Sequence, residues 1–282
     1  MECPILYGKN IAVKIEEELK KQVEVQKRKL GRTPQLTTIV AAEDSASKVY
    51  LASQAKVAAR LGIEFDFQKL PGDISQDNLE KEIQSLNRNQ AVDGVLIQMP
   101  LPAHLDPKRA INFLSPDKDV EGLHPQNLGR LFFLEPKIIP PTVAGVMAML
   151  EEIKIDLRGK EVVIVGHSEI VGKPLSLLLL NKLATTTVCH IGTSGAGHLE
   201  MHLKKAEILI VAVGKPRFIK GSSLKKGVVV IDVGINKENG KLVGDVDFET
   251  AKEKASFITP VPGGIGTLTP VMLMRNLLRL TQ

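Results

Sequence analysis

The chain has 282 residues, of which 43% are hydrophobic and 24% charged, with a formal net charge of +5. That length allows one large or two modest domains with a substantial core. Basic residues are interleaved with acids, and two tyrosines with no tryptophan offer little for base stacking, so nucleic acid is not an expected partner. No apolar run approaches the roughly 18–20 residues that a bilayer span needs, and residues 1–10 do not read as a signal peptide, so no membrane partner is expected either. Cys3 and Cys189 are too few for a disulfide framework, which points to the reducing cytosol.

Residues 10–30 carry Ile11, Val13, Ile15, Leu19 and Val23 among many charges. This pattern predicts an amphipathic helix with Asn10 as its N-cap, stopped by Gly31 and Pro34. The β-branched run 36–42 predicts a strand, followed by a helix over 46–61 that Gly62 closes. A strand over 64–70, an amphipathic helix over 75–89 and a buried strand over 94–99 complete a β-α-β-α-β unit, which is an open parallel sheet. Prolines break the pattern between residues 100 and 141, which reads as site loops and a connection. A helix over 143–153 then leads to strands at 162–165, 187–190, 208–213 and 228–233, with helices at 173–183 and 197–205. A last amphipathic helix spans 268–280.

The most informative stretch is residues 159–180, GKEVVIVGHSEIVGKPLSLLLL. The buried strand Val162–Val165 runs into Gly166, a polar turn, Gly172 and an apolar helix with Pro174 in its first turn. Strand, glycine turn and helix is the order that presents backbone N–H groups to a phosphate. The spacing is G-x-S-x-x-x-G-x-P, so the generic G-x-G-x-x-G fingerprint is absent.

GHSEIVGKP at 166–174 resembles the G-R-S-x-x-V-G-x-P turn of the methylene-tetrahydrofolate dehydrogenase/methenyl-tetrahydrofolate cyclohydrolase family. PVPGGIGTLT at 260–269 is similar to that family's P-V-P-G-G-V-G-P-x-T signature. SASKVY (45–50), DGVLIQMPLP (93–102) and PDKDVEGLHP (116–125) match further blocks in the same order. The resemblance implies two α/β domains with a cleft between them. Residues 1–140, with helix 268–282 packed back on them, would bind folate, and 141–267 would form a Rossmann-like NAD(P)-binding domain. It also implies one-carbon metabolism feeding purine biosynthesis, tetrahydrofolate derivatives as ligands, NADP or NAD as cofactor, and a homodimer.

By the same resemblance, Ser47, Tyr50, Gln98, Pro100, Leu101, Glu121, Gly263 and Gly264 should lie at the folate, with Tyr50, Gln54, Gln98 and Glu121 at the chemistry. The family pattern S-x-x-Y-x-x-x-K is met by Ser47 and Tyr50, but its lysine position holds Gln54. Positions 50 and 54 lie only about 40° apart around a helix, whereas Lys56 falls about 200° from position 54. Hydride transfer to a nicotinamide needs orientation, while opening the methenyl ring needs a proton carrier, which an amide cannot be. Cyclohydrolase is therefore expected to be impaired. Gln98 matches the family glutamine that contacts the lysine, so a Gln54–Gln98 amide pair is a further expectation. Asp119 matches, and Glu121 stands where the family places the aspartate that binds the pterin edge.

On the cofactor side the resemblance implicates Gly166, His167, Ser168, Val171, Gly172, Thr193, Val213, Gly214, Val233, Gly234 and Ile235. His167 replaces the arginine, and Ile191-Gly192-Thr193 replaces a Ser-Lys/Arg-Thr segment, that hold a 2′-phosphate in NADP users. No Asp or Glu at 188–193 marks an NAD user, so both nucleotides stay open. A histidine holds phosphate well only when charged, so NADP selectivity is expected to fall from pH 6 to pH 8. Further departures fall at Ala42, Ser45, Pro141-Thr142-Val143 and Thr267. Two other readings stay open, a dehydrogenase without cyclohydrolase and a relative that binds but does not catalyse. His198, Glu200 and His202 lack the H-E-x-x-H order and an evident third ligand, so no metal is expected.

Overall fold

The computed structural model describes residues 3–41, 45–133 and 136–282, and the side chains of all these except 45–47. The chain divides into two compact units, Lys14–Pro141 with Pro270–Gln282, and Met1–Val13 with Thr142–Thr269.

In the first unit, helix α1 (Gly8–Leu30), which belongs to it from Lys14 onward, leads to strand β1 (Gln35–Val40), helix α2 (Ser45–Leu61), strand β2 (Glu64–Lys69), helix α3 (Gln76–Arg88) and strand β3 (Gly94–Ile97). The strands pair in parallel in the order β2-β1-β3. The helix predicted over 10–30 begins at Gly8, so Asn10 lies inside it and is not its cap. Leu19 and Val23 are buried as their spacing requires, while Val13 is exposed. Gly31 and Gly62 end α1 and α2 with positive φ, 67° and 71°. Ser75 caps α3 by accepting the Asn78 N–H, and α3 buries Leu79, Ile83 and Leu86 against Ile39, Val95 and Ile97. Each such side chain contributes about 1.5–3 kcal/mol by leaving water.

The proline-rich stretch holds two short helices, α4 (Pro107–Phe113) and α5 (Pro125–Phe132), each with proline in its first turn. Between them, Val95 N–H donates to the Lys118 carbonyl at 2.7 Å, and Val95 and Asp119 form a parallel bridge. Residues 118–120 thus lie beside β3. Gly94 makes room, because a Cβ there would strike side chains of Val120 and Leu277.

The second unit begins with helix α6 (Pro141–Glu152), most of which belongs to it, and strand β4 (Glu161–Val165). Helix α7 (Gly172–Asn181), strand β5 (Thr185–Cys189), helices α8 (Ile191–Gly195) and α9 (Leu199–Lys205), and strands β6 (Ile208–Val211) and β7 (Val228–Asp232) follow. A hairpin β8 (Asn236–Glu238) and β9 (Lys241–Val243), helix α10 (Phe248–Lys252) and strand β10 (Ala255–Ile258) precede the last helix, α11 (Ile265–Leu280). Five strands pair in parallel in the order β10-β7-β6-β4-β5. Val163, Val165, Leu209, Val211, Val228 and Val230 fill one core cluster.

Strand β10 and the hairpin lie beyond the sequence expectations, and α11 starts three residues before position 268. Residue Ile5 bridges Ile258, and Leu6 N–H donates to the Ile258 carbonyl at 2.8 Å, so the first residues cover the β10 edge. That pairing places Met1–Val13 in the second unit rather than with the residues that follow it. Among the described residues, no helix is long and apolar enough to cross a membrane.

Candidate active site

In the first unit, α2 carries Tyr50 and Gln54 one helical turn apart. Gln54 is fully buried, and neither its Oε1 nor its Nε2 has a hydrogen-bond partner. Gln98 continues β3, its N–H donating to the Ile39 carbonyl at 2.9 Å. Its Nε2 donates to the Met99 carbonyl at 2.8 Å, and its buried Oε1 is left without a partner. The expected Gln54–Gln98 amide pair therefore does not form. Three buried amide atoms of Gln54 and Gln98 thus lack a partner within the chain, at about 1–3 kcal/mol each.

Asp119 is buried and used up by the fold. Its Oδ1 accepts the N–H groups of Glu121 (3.2 Å) and Gly122 (2.9 Å). Its Oδ2 accepts the His124 N–H (2.8 Å) and the Asn127 Nδ2 (2.9 Å). This hub folds the loop that carries Glu121. Burial raises the Asp119 carboxyl above the usual range despite these donors. Glu121 is pushed up to about 8, first by desolvation and then by the Asp119 charge. The Tyr50 phenol is raised by burial and by the Glu121 charge, while the nearby Gln54 amide works in the opposite direction. Tyr50, Gln54 and Glu121 thus form one electrostatic neighbourhood. Leu101 is buried and Pro100 exposed beyond β3. Ser47 lies in α2 with its side chain outside the described residues, as does Ser45, and Ala42 lies outside them altogether.

Gly263 and Gly264 belong to the other unit, where their own turn demands them. Gly263 has φ +110° and its carbonyl accepts the Gly8 N–H at 2.8 Å. A Cβ on Gly264 would stand 2.7 Å from the Pro260 carbonyl oxygen. Thr267 donates from Oγ1 to the Gly264 carbonyl at 2.8 Å.

The second unit holds a cavity of about 810 Å³, in the size range of a nucleotide site, at the carboxyl ends of β4, β5 and β6. Gly166, at φ +126°, ends β4, and a Cβ on it would strike the Ala212 carbonyl. A Cβ on Gly172 would strike the Gly166 carbonyl, so both positions require glycine. Ser168 Oγ accepts the Val171 N–H at 3.1 Å and shapes the entry to α7. Of the expected cofactor residues, Gly166, His167, Ser168 and Val213 line this cavity. Val171, Gly172, Thr193, Gly214, Val233, Gly234 and Ile235 are not among its lining residues.

His167 and His190 both line the cavity, with ring centroids 5.3 Å apart and planes tilted by 59°. His190 Nδ1 accepts the Gly192 N–H at 3.1 Å, and the His190 N–H donates to Thr193 Oγ1 at 3.2 Å. The Thr193 hydroxyl is therefore engaged in capping α8. Lys173, Lys215 and Phe218 also line the cavity and were not singled out from sequence. Neither were Asp232 and Asp245, which hold the turns after β6 and β7. Burial pushes Asp232 up to about 7. Among the described residues no group of three or more His, Cys, Asp or Glu could hold a metal ion.

A parallel α/β unit with a glycine turn and a nucleotide-sized cavity, joined to a second α/β unit with buried orphaned amides, defines a dinucleotide-dependent class of two-domain protein. Residues 6–121 match the tetrahydrofolate dehydrogenase/cyclohydrolase catalytic domain, and residues 140–282 match the NAD(P)-binding domain of the same family. The chain belongs to the tetrahydrofolate dehydrogenase/cyclohydrolase family. It is 49% identical to the bifunctional protein FolD of Acetivibrio thermocellus over 98% of this chain and 96% of that protein. The bifunctional FolD structure from Campylobacter jejuni is 40% identical with a TM-score of 0.95, covering 99% of this chain and 98% of that one. The Trypanosoma brucei FolD structure, complexed with NADP and an inhibitor, is 35% identical with a TM-score of 0.94 over 100% and 98% of the two chains.

Proposed function

We propose that this chain oxidises 5,10-methylene-tetrahydrofolate to 5,10-methenyl-tetrahydrofolate with NAD(P), and that its hydrolysis of the product to 10-formyl-tetrahydrofolate is impaired. The carrying observation is Gln54, an amide fully buried one turn from Tyr50 on α2. An amide there can orient a folate by hydrogen bonds but cannot carry a proton.

When bound, the nicotinamide supplies the hydride acceptor. The glycine turn 166–172 and the N-terminus of α7 suit the pyrophosphate, and His167 and His190 flank the place where a ribose 2′-substituent would come. Tyr50 supplies an aromatic wall, and its raised phenol stays protonated across the working pH range. Glu121 fixes the pterin edge, with Asp119 holding its loop. The NADP-complexed relative supports NADP as the cofactor. A cytosolic homodimer in one-carbon metabolism completes the proposal and rests on the family alone.

The deciding assay supplies methylene-tetrahydrofolate with NADP or NAD and follows reduced nucleotide. Steady reduction of either supports the proposal. No reduction with either nucleotide, despite binding of both ligands, would favour a chain that binds without catalysing.

A further inference from the structure

Three consecutive backbone N–H groups after β6 converge on one carboxylate. Val213 and Gly214 donate to Asp245 Oδ2 at 2.6 and 2.9 Å, and Lys215 donates to Oδ1 at 2.9 Å. Asn236 Nδ2 donates to the same Oδ1 at 2.8 Å, so each carboxylate oxygen accepts two donors. Successive N–H groups of this kind form an anion-binding nest, and here the chain fills it with its own side chain. The nest lies at the carboxyl end of a central parallel strand, where ligands of open α/β sheets gather. Val213 and Lys215 line the cavity, and Gly214 between them takes φ +65°.

A second carboxylate stands behind the first. Asp232 Oδ1 accepts the N–H groups of Asp245 and Gly234, both at 3.0 Å, and its Oδ2 accepts the Val246 N–H at 2.8 Å. The turn after β7 and the backbone of residue 245 are thus tied together, and the side chain of 245 ties in the turn after β6. The packing leaves no slack. A Cβ on Gly234 would strike the Asp245 carboxylate, and one on Gly244 would strike that of Asp232.

We infer that Asp245 is a positioning residue for the nucleotide site, holding the 213–215 turn so that Val213 and Lys215 face the cavity, with Asp232 fixing Asp245 in turn. This rests on the nucleotide-binding reading above. The charge matters as well as the shape. Four donors face two oxygens, so converting one oxygen to an NH₂ group sets donor against donors.

The test compares the natural chain with Asp245→Asn and Asn236→Asp. The second variant keeps Asp245 but sets a like charge beside its Oδ1. Titration calorimetry gives dissociation constants for NADP, NAD and a tetrahydrofolate analogue, and NMR gives the amide proton shifts of residues 213–215. The inference expects nucleotide affinity to fall about tenfold or more in Asp245→Asn and about threefold or more in Asn236→Asp. Affinity for the folate analogue should hold, and the three amide protons should move upfield as their charged acceptor is lost or displaced. In turnover, nucleotide KM should rise more than kcat falls, whereas simple loss of folded protein would lower kcat alone. Unchanged nucleotide affinity in both variants, or equal loss of nucleotide and folate binding, would overturn it. If Asp245→Asn does not fold, Asn236→Asp decides by the same criteria. A natural chain that binds neither nucleotide would overturn the nucleotide reading and this inference with it.

Discussion

Asn276, on the last helix, donates from Nδ2 to the Val120 carbonyl at 2.8 Å, one residue before Glu121. The same Nδ2 donates to the Ile139 carbonyl at 2.8 Å, and Asn276 is fully buried. One amide therefore ties together two chain segments that also pack against each other where Gly122 meets Ile138. Asn276→Leu removes both donors and leaves two carbonyls unpaired, at about 1–3 kcal/mol each. Urea unfolding of the variant should show a loss of that order. Its folate KM should rise because the loop carrying Glu121 is released, while nucleotide affinity stays as it was. A stability loss with folate KM unchanged would show that Asn276 holds the fold but not the site.

Glu121 makes stability depend on pH in a direction opposite to that of a paired carboxylate. Its folded carboxyl is held near 8, well above the 4.5 of an unhindered glutamate, by burial and by Asp119. Below pH 4.5 both folded and unfolded states keep the proton, and the group's contribution is fully present. As pH rises from 4.5 to 8 the unfolded state ionises first, so that contribution is lost. Glu121→Gln cannot ionise and should remove this part of the decline. Thermal unfolding at pH 5, 6.5 and 8 should show the natural chain losing ground to the variant at each step. Parallel curves would place Glu121 in a more polar setting than its neighbours imply.

The neighbouring rings of His167 and His190 line the cavity, and the proposed function sets a 2′-phosphate beside them. His167→Arg installs a permanent charge with a fork of donors. The NADP/NAD ratio of kcat/KM should rise about tenfold, the scale of one charge-assisted hydrogen bond. An unchanged ratio would mean that the phosphate is held elsewhere, with Lys173 and Lys215 as the cations next to be changed.

Where the signal is local, the sequence shows both fold and site. Val162–Val165, Gly166, Gly172 and Pro174 announce β4, its turn and α7, because a β-branched run favours a strand, proline suits a helix's first turn and the two glycines have no room for a Cβ. The hairpin β8–β9 also rests on a local pair of residues. Asn239-Gly240 takes positive φ at both residues, 51° and 79°, as a two-residue hairpin turn demands. Asp232 and Asp245 are different. Apart from the Asn236 amide, their partners are backbone N–H groups, some of them about thirty residues away, and backbone donors leave no trace in composition or period. The orphaned Gln54 amide is also invisible in sequence, since burial of a polar residue on a weakly amphipathic helix is decided by what packs against it.

The measurement that bears most directly on the account supplies methenyl-tetrahydrofolate and follows its hydrolysis above the uncatalysed rate, in the natural chain and in Gln54→Lys. Position 54 is fully buried, so a lysine placed there would have its pKa lowered and become a usable proton carrier near neutrality. The expected result is hydrolysis close to background in the natural chain and a gain of about 10²–10⁴-fold in the variant, the usual worth of a positioned acid or base. Reduction of nucleotide by methylene-tetrahydrofolate should be measurable in both. Vigorous hydrolysis with Gln54 in place would contradict the account, because the proton would then be travelling by a route that does not need a lysine at this position.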